Sequence, residues 1–233
     1  MQLKSKCDMK IIVLTLCSLL CTLCHGQRLI MDIIDPAGAN PALQSGAGSK
    51  TLFGSMYLTE WRVGYIYYGT KKEEKKLRYN AYKDAVHIMN AQEQELVIEK
   101  GQIEAFSIVD NNKEYLFKWV MNIPKIDFGY LQVIYEGKVK VYYRHHRKIK
   151  QSVSETETYA GNTPDERFVE DNAFVIELPN GTKHLTDARK KDILNIFADK
   201  KKELEQYMKT KKLDTQKPKD LMEVVKQYET YLN

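Results

Sequence analysis

Between residues 61 and 150 the chain repeats one pattern: a run rich in aromatic and β-branched residues, then a turn signal, at a spacing of about 8–12 residues. Trp61-Arg62-Val63-Gly64-Tyr65-Ile66-Tyr67-Tyr68 opens the series. Such residues favour a pleated, half-buried surface. Further strands are expected over 77–80, 85–90, 95–99, 103–109, 114–121, 128–135 and 138–147. Over 114–121 the residues Tyr115, Phe117, Trp119 and Met121 alternate onto one face. The charged run 71–76, Asp110-Asn111-Asn112, Pro124 and Glu136-Gly137 read as turns or breaks. Short strands at this spacing predict an antiparallel β meander, closing as a barrel or sandwich. Several strands are apolar on both faces, as in Tyr130-Leu131-Gln132-Val133-Ile134, so one face is expected to pack on helices or on a second sheet.

The remainder of the chain divides around that region. Residues 151–172 carry six acids against Arg167 alone and read as a polar loop. One more strand is expected over 173–178, closed by Pro179-Asn180-Gly181. From 184 on the apolar period becomes helical. Thr186 or Asp187 caps a first helix with Ile193, Leu194 and Phe197 on its stripe, and Asp199 caps a second with Leu204, Tyr207 and Met208. Pro218 suits the first turn of a third, whose stripe is Leu221, Val224, Val225, Tyr228 and Leu232. The class is therefore α+β, an antiparallel sheet followed by about three short helices. The expected boundaries are a signal peptide at 1–26, a Pro/Gly-rich linker at 27–56, a β domain at 57–183 and a helical extension at 184–233.

The N-terminus has the form of an export signal. Lys4, Lys6 and Lys10 precede an apolar run over 11–24, and Cys24-His25-Gly26 offers a cleavage site before Gln27. The run is shorter than a bilayer span. All four cysteines (Cys7, Cys17, Cys21, Cys24) lie in this segment, so the processed chain would hold no disulfide, thiol nucleophile or cysteine metal site. A lipoprotein with Cys24 or Cys21 as its first residue is the rival reading, but each follows a Leu, where a small residue is usual. The protein is expected to be exported, periplasmic or extracellular. The net charge is +5, and the first 26 residues contribute three Lys and one Asp of it. Within 27–183 basic and acidic residues balance, so the remaining excess lies in the helical tail. An excess this small argues against nucleic acid as a partner. The segment 29–34 reads as a strand that pairs later or as a partner-binding peptide.

No elbow, phosphate loop or dinucleotide motif is present, and no histidine has a partner at metal-ligand spacing. No catalytic, metal or cofactor-binding residue is therefore assigned, and no cofactor is expected. The most basic stretch holds Arg144, His146, Arg147, Lys148 and Lys150. It suits an anion such as phosphate, an anionic envelope polymer or a lipid head group. The blander alternative is a strand end in solvent, paired with the acidic segment 155–171. The many tyrosines suit sugar or peptide binding, or sheet core.

Several stretches carry a family resemblance. They are Trp61-x-x-Gly64-x-Ile66-Tyr67, Leu77-Arg78-Tyr79-Asn80-x-x-x-Asp84, Phe128-Gly129-Tyr130 through Val141-Tyr142, and Ile193-Leu194-x-x-Phe197-x-Asp199-Lys200, with His25-Gly26-Gln27 at the signal end. Together they resemble a family of exported, signal-peptide-bearing proteins of Bacteroidetes-type bacteria. The resemblance implies no enzyme activity and assigns no catalytic residue. The leading expectation is an exported, non-enzymatic binding or structural module of the cell envelope, its partner an envelope protein or an anionic envelope polymer. One alternative is an envelope hydrolase or isomerase using carboxylates such as Asp84 or Asp127 with a histidine. Another is a binder of anionic polymer or lipid through the basic residues.

Overall fold

The computed structural model describes residues 52–151 and 166–232. The signal segment, its cysteines, residues 27–51 and most of the acidic stretch (152–165) lie outside the described residues. Ten strands form one antiparallel sheet: β2 (Arg62–Tyr68), β3 (Lys71–Asn80), β4 (Ala85–Met89), β5 (Glu95–Ile98), β6 (Ala105–Asp110), β7 (Lys113–Ile123), β8 (Asp127–Glu136), β9 (Lys140–Arg144), β12 (Ala173–Glu177) and β13 (Lys183–Thr186). Their spatial order is β13-β12-β9-β8-β7-β6-β2-β3-β4-β5. A second, small sheet joins β1 (Leu52–Phe53), β11 (Glu166–Glu170) and β10 (Arg147–Gln151). Three helices follow: α1 (Lys190–Ile196), α2 (Lys201–Lys211) and α3 (Pro218–Thr230). The class is the expected α+β. The large sheet is not a hydrogen-bonded ring, since β13 and β5 are its two edges. It curls, however, and β13 returns to touch β7.

Four local readings change. The charged run 71–76 is not a turn but the outer half of β3, paired residue by residue with β2 from Tyr68↔Lys71 to Val63↔Lys76. Gly69-Thr70 makes the turn, with Gly69 at φ 56. The Lys and Glu pairs of this run keep that exposed ribbon from pairing with other chains. The strand expected over 138–147 divides at His145-His146, so β9 stays in the large sheet while β10 enters the small one. Part of the stretch read as a polar loop is β11, paired with β10 so that Arg147 faces Glu170 and Lys150 faces Arg167. Finally, the ends of the β region shift. β1 lies within the stretch read as linker, and β13 beyond Lys183 within the stretch read as helical.

The sheet has cores on both faces. Ile66, Leu77, Tyr79, Phe106, Phe117 and Tyr130 pack together under the β2–β7 half, with Phe106 stacked on Phe117. The other half carries Ile134, Val141, Phe174 and Ile176 against α1–α3, which contribute Ile193, Phe197, Leu204, Leu221, Val225 and Tyr228. Its opposite face closes over Val120, Leu131, Val133, Tyr142 and Val175 inside the curl. The alternation expected along β7 therefore holds only to Trp119. Met121 is 60% exposed, while Val120 and Ile123 are buried. A register shift between Met121 and Ile123 marks the change. Gly64 lets β2 and β6 approach, because a Cβ there would collide with the Ser107 carbonyl oxygen.

The helix stripes are the expected ones, but the caps are not. α1 starts after Arg189 and α2 after Lys200, neither with a side-chain cap. Asp199 instead accepts a hydrogen bond from the Tyr228 hydroxyl on α3 (3.1 Å). Among the described residues no helix is long and apolar enough to cross a membrane.

Candidate functional site

The turn between β3 and β4 builds a polar site. Asn80 shapes it: its Oδ1 accepts the N–H groups of Tyr82 (3.2 Å) and Lys83 (2.9 Å). Asp84 then adopts φ 54, a left-handed conformation that Asp tolerates. This bends its carboxylate back over the sheet. Oδ1 accepts the Tyr79 hydroxyl (2.6 Å) and the Tyr130 N–H (3.2 Å). Oδ2 lies 3.9 Å from the Lys100 ammonium. Gly129 makes room for it, since a Cβ there would stand 3.3 Å from Oδ2.

Arg144, at the end of β9, and His146 complete a cavity of about 150 Å³. At ~30 Å³ per water molecule, that volume suits about five waters or a single sugar ring. Tyr82 and Phe128 line it and are 38% and 47% exposed. Tyr82 meets Phe168 edge-on (5.3 Å), and Phe128 leans on Trp119 (5.1 Å), so both rings are held in place. Arg144 also lines a larger open groove of about 500 Å³, beside β13, α1 and the β7–β8 turn.

The electrostatics follow from burial. Desolvation raises the Asp84 carboxyl above its ordinary range, against the lowering effect of the Tyr79 and Tyr130 hydrogen bonds and of the Lys100 and Arg144 charges. Burial and the adjacent Asp84 push the Tyr79 phenol well up. Burial and Arg144 push His146 down, towards the neutral imidazole. Its Nδ1 faces the Ala81 carbonyl at 3.2 Å. A carbonyl only accepts, so Nδ1 carries the hydrogen and Nε2 the lone pair. Arg144 is half-buried, and among the described residues its guanidinium makes no hydrogen bond or ion pair. The site thus combines a carboxyl held towards its protonated form, a neutral imidazole and a desolvated cation.

The basic residues singled out in the sequence do not form one patch. Arg144 and His146 enter the cavity. Arg147 is buried, its guanidinium donating to the Ser55 carbonyl. Lys148 pairs with Asp171, so the expected pairing with the acidic segment is present at this residue. Lys150 is exposed. The division arises because the chain leaves one sheet for the other at residues 145–146, which scatters side chains that a continuous strand would align. Of the two carboxylates considered for chemistry, Asp84 lines the cavity and Asp127 does not. Of the other described histidines, His145 also lines the cavity, while His87 and His184 sit apart from it. His145 is buried against Gln132 (2.8 Å), His87 is bound to Glu95, and His184 lines the groove. Tyr82, Lys100 and Phe128 were not foreseen as site residues. Only the proximity of Tyr79, Asp84 and Gly129 within quoted motifs pointed towards them. Among the described residues no three His, Cys, Asp or Glu side chains come together as a metal site.

The burial of Asp84 makes a direct prediction. Its folded pKa is raised, so the native state holds that proton more tightly than the unfolded chain does. Stability then falls as pH rises from the ordinary carboxyl range, about 4, through the raised folded value, and is level above it. Asp84→Asn removes the buried charge, keeps an acceptor for Tyr79 and Tyr130, and tolerates the positive φ. Its thermal midpoint at pH 7 is expected to equal or exceed that of the parent. Asp84→Ala leaves the buried Tyr79 hydroxyl unpaired and should lose about 1–3 kcal/mol. Equal losses in the two variants would refute this account.

No protein-family model matches the chain, and no curated protein or solved structure matches it.

Proposed function

We propose that this chain is an exported, non-enzymatic binding module of a bacterial envelope that holds an anionic ligand in the Asp84–Arg144 cavity. One observation carries the reading. The Arg144 guanidinium is half-buried in the cavity wall, with no hydrogen bond or ion pair among the described residues. Burial disfavours its charge and pushes its pKa down, against the raising effect of Tyr79, Asp171 and Asp84. Asp171 and Asp84 act on it only through space, and a desolvated cation with no hydrogen-bonded partner among the described residues is costly. A carboxylate or phosphate placed against it would offset that cost through a bidentate pair. Export rests on the signal-like residues 1–26.

Inorganic phosphate and galacturonate, titrated separately into the purified chain and followed by calorimetry and NMR, test the site. Arg144→Gln is expected to weaken binding at least tenfold, and Lys150→Gln to leave it unchanged. Equal affinity in Arg144→Gln would reject the assignment. Mass spectrometry of the protein from fractionated native cells tests the export. Gln27 as first residue in the soluble envelope fraction or medium is expected, whereas a lipidated Cys24 or Cys21 would make it a tethered module.

A second reading draws on Asp84 and His146 together. A carboxyl biased towards its acid form and a neutral imidazole in one cavity are the components of general acid–base catalysis. Substrate turnover abolished by Asp84→Asn in a folded protein would favour this hydrolase or isomerase reading over simple binding.

A further inference from the structure

We propose that the ligand is an acidic oligosaccharide, with one sugar residue in the cavity and the chain continuing past Arg144 into the groove. The inference rests on the reading above and adds the ligand's class and length. Length follows from Arg144, which lines both the cavity of about 150 Å³ and the groove of about 500 Å³. A ligand anchored on that guanidinium from the cavity side has the groove directly beyond it. The cavity alone suits a single ring, so the groove is where further units lie.

Class follows from the walls. Tyr82 and Phe128 line the cavity and are exposed, although most aromatic side chains of the sheet are buried. The apolar C–H face of a sugar packs on such rings, while its hydroxyls need acceptors. Asp84 supplies one in the cavity, and Asp187 and Asp192 supply others in the groove. The groove also holds cations, Lys125 and Lys183 among them. This mixed lining fits a ligand that carries hydroxyl donors beside each carboxylate. An acidic peptide would bring carboxylates towards Asp187 and Asp192 with no hydroxyl to offer them. The sugar's hydroxyls can offset that like-charge approach, and the peptide has none.

Calorimetric titration of the full chain tests this with four probes: galacturonate, tetragalacturonate, a neutral glucose tetramer and tetraglutamate. Tetragalacturonate is expected to bind at least tenfold more tightly than galacturonate, beyond the fourfold statistical gain of four equivalent units. Tyr82→Ala should weaken both galacturonates several-fold. Asn195→Ala, an exposed change in the groove wall, should weaken only the tetramer. Equal affinities for monomer and tetramer, with Asn195→Ala silent, would overturn the extension into the groove and leave the anion cavity standing. Tetraglutamate binding as tightly as tetragalacturonate, with Tyr82→Ala silent, would overturn the sugar class. Binding of the glucose tetramer equal to that of tetragalacturonate would overturn the acidic requirement. No binding of any anion, in parent or Arg144→Gln, would remove the underlying reading as well.

Discussion

Glu229→Ala is expected to lower stability by about 4 kcal/mol and to loosen α3 from the sheet. Glu229 lies on the last turn of α3, yet it is only 3% exposed, because it reaches into the β8–β9 turn. One carboxylate oxygen accepts the Tyr135 hydroxyl (2.6 Å) and the other the Val139 N–H (2.8 Å). Both donors are fully buried. Truncation leaves two buried donors with a lost acceptor, at about 1–3 kcal/mol each. A urea midpoint lower by about 2 M follows if the slope is about 2 kcal/mol/M. Glu229→Gln keeps one carbonyl acceptor and should fall between the parent and Ala. Gly137 supplies an independent check. A Cβ at Gly137 would press on the Glu229 carboxylate and stand 2.6 Å from the Tyr135 ring and hydroxyl, so Gly137→Ala should reproduce much of the loss. A loss below about 1 kcal/mol in Glu229→Ala would show that apolar packing alone holds α3.

The second large effect is acid lability centred on His145. The ring is buried, its Nε2 bound to Gln132 and its faces against Phe117 and Tyr143. Burial, with the nearby Arg147 charge, lowers its pKa to about 3. An unfolded chain takes that proton near the ordinary histidine value, about 6.5. The stability contributed by the neutral ring is therefore complete above pH 6.5 and lost as pH falls towards 3. At about 1.4 kcal/mol per unit, the loss is about 2 kcal/mol by pH 5 and about 4–5 kcal/mol over the whole window. His146, also pushed down, tilts stability in the same direction. Urea unfolding of the parent and of His145→Gln from pH 7 to pH 4.5 checks the assignment. The variant has a lower stability at pH 7 but a distinctly shallower fall. Parallel curves would place the acid sensitivity elsewhere.

Local pattern was enough for much of the fold. Aromatic and β-branched runs identified β2 and β8, alternation identified β7, and helical spacing identified the stripes of α1–α3, because side-chain direction is fixed by the residue's own backbone. Turn chemistry at Asn111-Asn112 and Pro179-Asn180-Gly181 likewise acts over a few residues. Where pairing over long distances decided, sequence reading failed. The run 71–76 carries no apolar signal and is a strand only because β2 lies beside it. The stretch 166–170 is a strand because it pairs with β10 on one side and β1 on the other.

The site divides along the same line. Asp84 was legible as a carboxylate worth watching, and Arg144 and His146 as cations on a basic stretch. Nothing along the chain joined them, since residues 84, 100, 128 and 144 come from four separate parts of the meander. Nor did it reveal that Arg147 turns inward and Lys148 is paired. The sequence by itself determined the α+β class, the strand and helix types and the hydrophobic faces, all set by short-range geometry. Only the tertiary structure decided the open curl, which faces meet the helices, and the cavity that brings Asp84 to Arg144. Those depend on which distant strands touch, a matter of packing and burial summed over the whole chain.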